Sequence, residues 1–262
     1  MKTIELKEVK HSVKVGDICP SIEPNIIEDS IFTVDGVPIG FYISDISKYN
    51  ERLSKLVTVA NTELRSKNVP KSVMKRSSGF TDKDKTKEVL QYSTILGSVP
   101  PKPHMRRPYP TRSSVHGVKS AKTFVKAMLL VCKESEQLIK ELTPNIYENQ
   151  KKTIGENVAE KWRFGELFTS SISNYNIAAN FHRDNANLKG CANVIITKRK
   201  NSTGGCTSVP DYGATVNSCD NSMLVYPAWR NVHGVTPIVP THEGGYRNSL
   251  VFYPLKSFNN YA

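Results

Sequence analysis

Apolar residues recur at helical spacing in the N-terminal half of the chain. In NERLSKLVTVANTELRSK (50–67) they fall at Leu53, Leu56, Val57, Val59 and Ala60, and Pro70 follows, which predicts one helix. SAKTFVKAMLLVCKESEQLIKELT (120–143) carries the strongest helical pattern, and GENVAEKWRFGELF (155–168) predicts a second, shorter amphipathic helix. IFTVDGVPIGFYI (31–43) instead shows two strand-like runs around Asp35-Gly36, a hairpin signal. Beyond 168 the pattern changes to short β-rich runs broken by Gly, Pro, Asn and Asp, among them SISNYNIAANFH, GCANVIITKRK, GATVNSCDNSMLVYPAW and RNSLVFYPL. Helices and loops up to about 168, then an all-β core of sandwich or barrel type, are the expected organisation.

Two stretches fit neither pattern. KSVMKRSSGFTDKDKTKE is rich in Lys, Ser and Asp, and PPKPHMRRPYPTRSS holds five prolines between 100 and 110, so both are expected to be long loops or arms. Charge concentrates there. The net charge is +12, and residues 65–126 carry fifteen Lys or Arg against three acids, a surface suited to a polyanion. Within it Arg106, Arg107 and Arg112 are candidate phosphate contacts, Arg76 with the Ser-Ser-Gly after it a candidate substrate loop, and Tyr109 a candidate for stacking on a base. His104 and His116 are expected at the surface or against a base.

The five Cys lack C-x-x-C spacing, which disfavours structural zinc and a disulfide framework. No apolar run reaches membrane-spanning length and MKTIELKEVKHSVKV has no signal-peptide centre, so a cytoplasmic protein without membrane attachment is expected.

Candidate chemistry begins at NFHRDNAN (180–187). His182 and Asp184 lie two apart, so an extended segment turns both to one side. Non-haem Fe(II) sites combine two His with one carboxylate and keep positions open for cosubstrate and O₂. A third ligand must come from His233 or His242, the two histidines that follow. Fourteen residues after His233 stands Arg247, opening the strand-like run RNSLVFY, and Ser249 shares its side. An Arg there could hold the far carboxylate of a 2-oxoacid through a bidentate pair. His242, five residues from Arg247, is poorly placed to ligate. Read singly, His182 is a core histidine, Asp184 a turn residue and Arg247 a surface partner; their coincidence is what asks for a site.

HRDNAN (182–187), the Gly204-Gly205 pair of STGGCTSVPDYG, HGVTP (233–237) and YRNSLVFY (246–253) together resemble the iron(II)- and 2-oxoglutarate-dependent dioxygenases, in particular their TET/JBP branch, which oxidises the methyl group of 5-methylcytosine or thymine in nucleic acid. The resemblance implies an α+β fold with a double-stranded β-helix (jelly-roll) core, here over 169–262, behind an N-terminal extension of helices and basic loops (1–168) in one dioxygenase domain. It implies His182, Asp184 and His233 as ligands of Fe(II), Arg247 assisted by Ser249 as the anchor of 2-oxoglutarate, O₂ as co-reactant, and Asn187 as the residue that hydrogen-bonds the target pyrimidine. An amide both donates and accepts, so Asn187 alone serves cytosine or thymine. The chain lacks the Cys-rich zinc-binding region of the eukaryotic TET enzymes and is shorter, in keeping with a compact bacterial or phage-type relative. DNA is the expected partner and a monomer the expected state. The rivals are a 2-oxoglutarate-dependent hydroxylase acting on a protein side chain or a small molecule, and a nonenzymatic DNA-binding module.

Overall fold

The computed structural model describes residues 1–74 and 91–258; Arg76 and most of the Lys-rich stretch after it lie outside the described residues. In chain order the elements are β1 (Lys2–Glu5), β2 (Ser30–Val34), β3 (Val37–Ile43), α1 (Glu51–Arg65), β4 (Tyr92–Val99), β5 (Thr111–Arg112), α2 (Lys122–Leu142) and α3 (Pro144–Asn157). They continue with β6 (Ser170–Tyr175), β7 (Ala179–His182), β8 (Asn193–Lys200), β9 (Ser202–Gly204), β10 (Thr207–Val209), β11 (Ala214–Val216), β12 (Ser222–Tyr226), β13 (His233–Val235), β14 (Ile238–Pro240) and β15 (Tyr246–Tyr253). Nine strands form one sheet in the order β1-β2-β3-β12-β8-β15-β6-β4-β5. Four form a second, β11-β10-β13-β7, and β14 pairs with β9. The result is an α+β fold with a β-sheet core, without a closed barrel among the described residues. Among the described residues no helix is long and apolar enough to cross a membrane.

Local chemistry accounts for the elements foreseen. Asp35 and Gly36 both take positive φ (51° and 75°), as a tight two-residue hairpin between β2 and β3 requires. Asn50 caps α1 by accepting from the Leu53 amide at 2.8 Å. In α1, Leu53, Val57, Ala60 and Leu64 form a buried stripe, and Phe124, Met128 and Val131 do so in α2. Both stripes pack on one face of the large sheet, against Val194 and Ile196 of β8 and Leu250 and Phe252 of β15. Burying each such side chain is worth about 1.5–3 kcal/mol.

Three expectations need correction. The helix expected over 155–168 is absent. Pro144, whose missing N–H costs nothing in a first turn, starts α3 earlier, and α3 ends at Asn157. The chain then runs irregularly, with a short 3-10 turn at Glu160–Trp162 and a second turn over 165–167, where Gly165 takes φ +75° and Phe164 bridges Phe168. Its apolar residues Val158, Phe164, Leu167 and Phe168 are buried although the segment is not helical. His116 is likewise no surface contact: its Nε2 accepts from the Gly97 amide at 2.8 Å, so the ring braces β4. The first half also supplies more than helices and loops, since β2, β3 and β4 are built into the large sheet.

Glu136 of α2 joins the helix layer to the approach to β6. It is buried, and its Oε1 accepts from the amides of Glu166 (2.7 Å) and Leu167 (2.8 Å). A Cβ on Gly165 would lie 2.3 Å from that oxygen, which explains the glycine. Burial raises the Glu136 carboxyl from 4.5 to about 7, despite the two amides that favour its anion. The folded chain therefore holds a proton that the unfolded chain releases between pH 4.5 and 7. Stability from this group is complete below 4.5 and declines as pH rises toward 7, by about 1–3 kcal/mol. Glu136→Gln keeps an acceptor for both amides and should remove that decline, read as melting temperature against pH.

Candidate active site

The site forms where the small sheet faces the large one. β7 ends on His182 and β13 begins on His233, and the antiparallel register sets these residues opposite each other. Their rings lie 4.3 Å apart, centroid to centroid. After β7 the chain turns, with the Asp184 amide donating to Ala228 O at 3.2 Å and the Asn187 amide donating to Asp184 O at 3.0 Å. The turn brings the Asp184 Oδ1 to 3.6 Å from His182 Nε2. One ligand atom from each of His182, Asp184 and His233 falls within 4.8 Å of the others, a cluster that could hold a metal ion.

The two rings are oriented alike. His182 Nδ1 meets Asn180 O at 2.7 Å and His233 Nδ1 meets Asn231 O at 3.1 Å. A carbonyl only accepts, so each Nδ1 carries the hydrogen and each Nε2 keeps its lone pair for a metal. Burial pulls the buried His233 down from 6.5 to about 4, with the neighbouring His182 adding to the effect, so this ring is neutral near pH 7. Two imidazoles and one carboxylate, without a thiolate, are a donor set that suits Fe(II).

Arg247 stands on the opposite wall. Along β15 the residues alternate: Leu250 and Phe252 enter the helix-side core, while Arg247, Ser249, Val251 and Tyr253 line a cavity of about 530 Å³ shared with the His/Asp/His cluster. Arg247 is only 3% exposed. Its Nε donates to Ser218 Oγ at 3.0 Å and its Nη2 lies 3.5 Å from Thr197 Oγ1, but it makes no ion pair with any described residue. Burial lowers its guanidinium from 12.5 to about 10. A buried cation without a counter-ion is costly, and a ligand carboxylate would relieve it. Ser249, also 3% exposed, is beside it on the same wall, 3.4 Å from Asn174 Nδ2.

The glycines of the motifs have steric reasons. A Cβ on Gly205, at φ +69°, would press on Arg247 Cδ and Nε at 3.0 Å; on Gly204 it would meet Pro237 O at 1.8 Å. A Cβ on Gly234 would lie 2.9 Å from Cys19 Cβ and 3.0 Å from the Phe181 ring. Cys19 belongs to an N-terminal strap that runs along β7, with the Gly16 amide donating to Phe181 O at 2.7 Å and the Phe181 amide to Asp17 O at 2.9 Å.

Asn187 also lines the cavity and is 4% exposed. The basic-loop residues do not line it. The turn 102–107 is closed by reciprocal backbone hydrogen bonds between Lys102 and Arg107, and Arg106 sits at its end at φ 55°, exposed. Tyr109 is 70% exposed. Arg107 and Arg112 spend their guanidinium groups on the protein itself, the first on Pro100 O and the second on Lys161 O and Arg163 O. Sequence reasoning missed Asn193, Thr197, Ser218 and Tyr226. An Asn opening a strand reads as a turn residue, Thr and Tyr within strands read as packing, and Ser218 reads as an ordinary loop residue. Tyr226 packs edge-on to His233 at 5.3 Å.

A metal-competent His/Asp/His cluster facing a buried arginine that has no ion-pair partner among the described residues defines a candidate non-haem oxygenase that takes a carboxylate cosubstrate. The sequence model of the TET/JBP family, described as the oxygenase domain of the 2OGFeDO superfamily, matches residues 101–256, and the chain belongs to this family. No curated protein matches it. Among solved structures it is similar to NgTET1 in complex with 5mC DNA, at 13% identity and a TM-score of 0.58, covering 97% of this chain and 85% of that one; this likeness is one of fold. Other similar structures are a 2OG-Fe(II) family oxidoreductase from Burkholderia pseudomallei (11% identity, TM-score 0.48, 84% and 86% covered) and a 2OG-Fe(II) oxygenase family protein from Caulobacter crescentus (14%, 0.48, 82% and 76%). Fe(II)- and 2-oxoglutarate-dependent oxidation is the chemistry of the superfamily to which the chain belongs.

Proposed function

We propose that this chain is an Fe(II)- and 2-oxoglutarate-dependent dioxygenase that oxidises the 5-methyl group of a pyrimidine in DNA, 5-methylcytosine in preference to thymine, to the hydroxymethyl base. His182, Asp184 and His233 would hold the iron, and Arg247 with Ser249 the distal carboxylate of 2-oxoglutarate. The single observation that carries the reading is Arg247: a buried guanidinium with no acidic partner among the described residues, across the cavity from the His/Asp/His cluster.

Iron and 2-oxoglutarate, when bound, supply the oxidation, in which O₂ converts the cosubstrate to succinate and CO₂ and a C–H bond to an alcohol. The protein's share is positioning and exclusion of water. The Asn180 and Asn231 carbonyls hold both imidazoles in the ligating tautomer. Ser218 and Gly205 hold the shaft of Arg247. Ile172, Ile195 and Val251 give the cavity between them an apolar wall.

DNA as the substrate rests on different support. The charge of 65–126 suits a polyanion, Arg106 and Tyr109 are displayed to solvent, and the fold is similar to that of NgTET1, seen in complex with 5mC DNA. A methyl group inside a duplex reaches such a cavity only if its base is flipped out. We read the sheets as a double-stranded β-helix, with residues 1–168 as its extension and 169–262 as its core, in one monomeric domain.

The test is turnover with Fe(II) and 2-oxoglutarate on three substrates: duplex carrying 5-methylcytosine, unmethylated duplex with thymine, and peptides. Succinate release accompanied by hydroxymethylated nucleoside, measured by mass spectrometry, is the expected outcome. Succinate release coupled to a peptide, with every DNA unchanged, would replace DNA by protein as the substrate.

A further inference from the structure

Asp184 uses its two oxygens differently. Oδ1 faces His182 Nε2, while Oδ2 accepts from Asn193 Nδ2 at 2.9 Å. Asn193 opens β8 and is 3% exposed, and its own Oδ1 accepts from Asn187 Nδ2 at 2.8 Å. Asn187 Nδ2 also lies 3.4 Å from Asp184 Oδ2.

The order of donors and acceptors in this chain is forced. A carboxylate can only accept, so Asn193 must turn its NH₂ toward Asp184 and its oxygen toward Asn187, which must answer with its own NH₂. Turning the Asn187 amide over would set its oxygen against two other oxygens with no hydrogen between them. Asn187 Oδ1 is the polar atom left over. It accepts from no described residue and is not sealed away from solvent, and Asn187 lines the cavity together with Asp184, Tyr253 and Leu255.

We propose that Asn193 determines the choice of base. By locking Asn187 with its carbonyl free for the cavity, it makes the site select the pyrimidine that carries an amino group, 5-methylcytosine, over thymine. This rests on the reading that the substrate is a methyl-bearing pyrimidine in DNA. At position 4 cytosine presents an NH₂ donor and thymine a carbonyl acceptor. Opposite a fixed amide oxygen the first gains a hydrogen bond, and the second sets two acceptors face to face where the seated base displaces the water that would otherwise satisfy them. Preference of this kind is on the order of tenfold to a hundredfold. Asn193 acts through Asn187 and is a positioning residue.

The experiment uses the full chain with Fe(II) and 2-oxoglutarate, and duplexes of one sequence carrying 5-methylcytosine, thymine or 5-methylpyrimidin-2-one at a single target position. Oxidised nucleosides give the ratio of kcat/KM values, and duplex affinities measured without O₂ give a second ratio. The wild type should favour 5-methylcytosine over thymine by about tenfold or more, with the base that has hydrogen at position 4 ranking between them. Asn193→Ala and the space-filling Asn193→Leu remove the 2.8 Å hydrogen bond and leave only the 3.4 Å contact with Asp184 Oδ2 to orient the Asn187 amide, so both ratios should fall toward one. A merely structural role would lower turnover on all bases alike and leave the ratios where they were. The proposal is overturned if the wild type treats thymine as well as 5-methylcytosine, or if the preference survives in a folded Asn193 variant. A wild type that oxidises no DNA at all would instead remove the reading beneath it.

Discussion

Arg247→Ala should raise the KM for 2-oxoglutarate by roughly a hundredfold or more while leaving Fe(II) affinity nearly unchanged. Charge-assisted hydrogen bonds contribute about 1.5–3 kcal/mol each, and a bidentate guanidinium–carboxylate pair makes two. Losing both outweighs any contact that Ser249 retains. Arg247→Lys keeps the charge but not the planar fork, and should fall between the two. The same substitution should act on stability in the opposite sense. The guanidinium is buried without an ion-pair partner among the described residues. Its removal should therefore leave the ligand-free protein as stable as the wild type, or more so. Added 2-oxoglutarate should raise the melting temperature of the wild type and not that of the variant. An Arg247→Ala protein with unaltered KM for 2-oxoglutarate would show that the cosubstrate carboxylate binds elsewhere.

Replacing a metal ligand should have the other large effect. His233→Ala removes one of three donors and should reduce Fe(II) affinity by several orders of magnitude, measured by anaerobic titration, with turnover falling below detection. Asp184→Asn is the subtler test, because the shape of the side chain stays and only its charge goes. Retained Fe(II) binding in His233→Ala would contradict the assignment of the metal centre. The metal-free protein should also show a pH signature. His233 is held near 4 in the fold against an ordinary 6.5, so the unfolded chain binds a proton that the folded chain does not. Its contribution is complete above pH 6.5 and is lost as pH falls toward 4. Glu136 acts with the opposite sign over an overlapping range, losing stability as pH rises from 4.5 toward 7. The two slopes partly cancel in the wild type. Glu136→Gln should unmask a steeper loss of stability on the acid side, and His233→Ala should flatten it.

Much of the site is legible in the order of the residues alone. H-x-D at the end of an extended run, a later His followed by an Arg, and glycines beside them form a pattern whose parts act only together, and the family match over 101–256 covers all of it. Local signals also locate the β2–β3 hairpin, α1 and α2, because a left-handed Asp-Gly pair or a helical apolar stripe is a property of neighbouring residues. The helix expected over 155–168 shows where such signals fail. Phe164 and Phe168 both pack on Phe252 of β15 and share the main core with Leu167, so their spacing imitates a helix in a segment that is not one.

Sequence by itself singled out the candidate side chains: two imidazoles, a carboxylate and a guanidinium through their coincidence, and the Asn187 amide through the family resemblance. Tertiary structure decided how those groups face one another. The pairing of β7 with β13 sets His182 against His233, the alternation of β15 buries Arg247 without a counter-ion, and Asn193, with no motif to announce it, turns the Asn187 amide. Donor and acceptor polarity arises between residues that are distant in sequence or ordinary in type, so only the folded chain could express it.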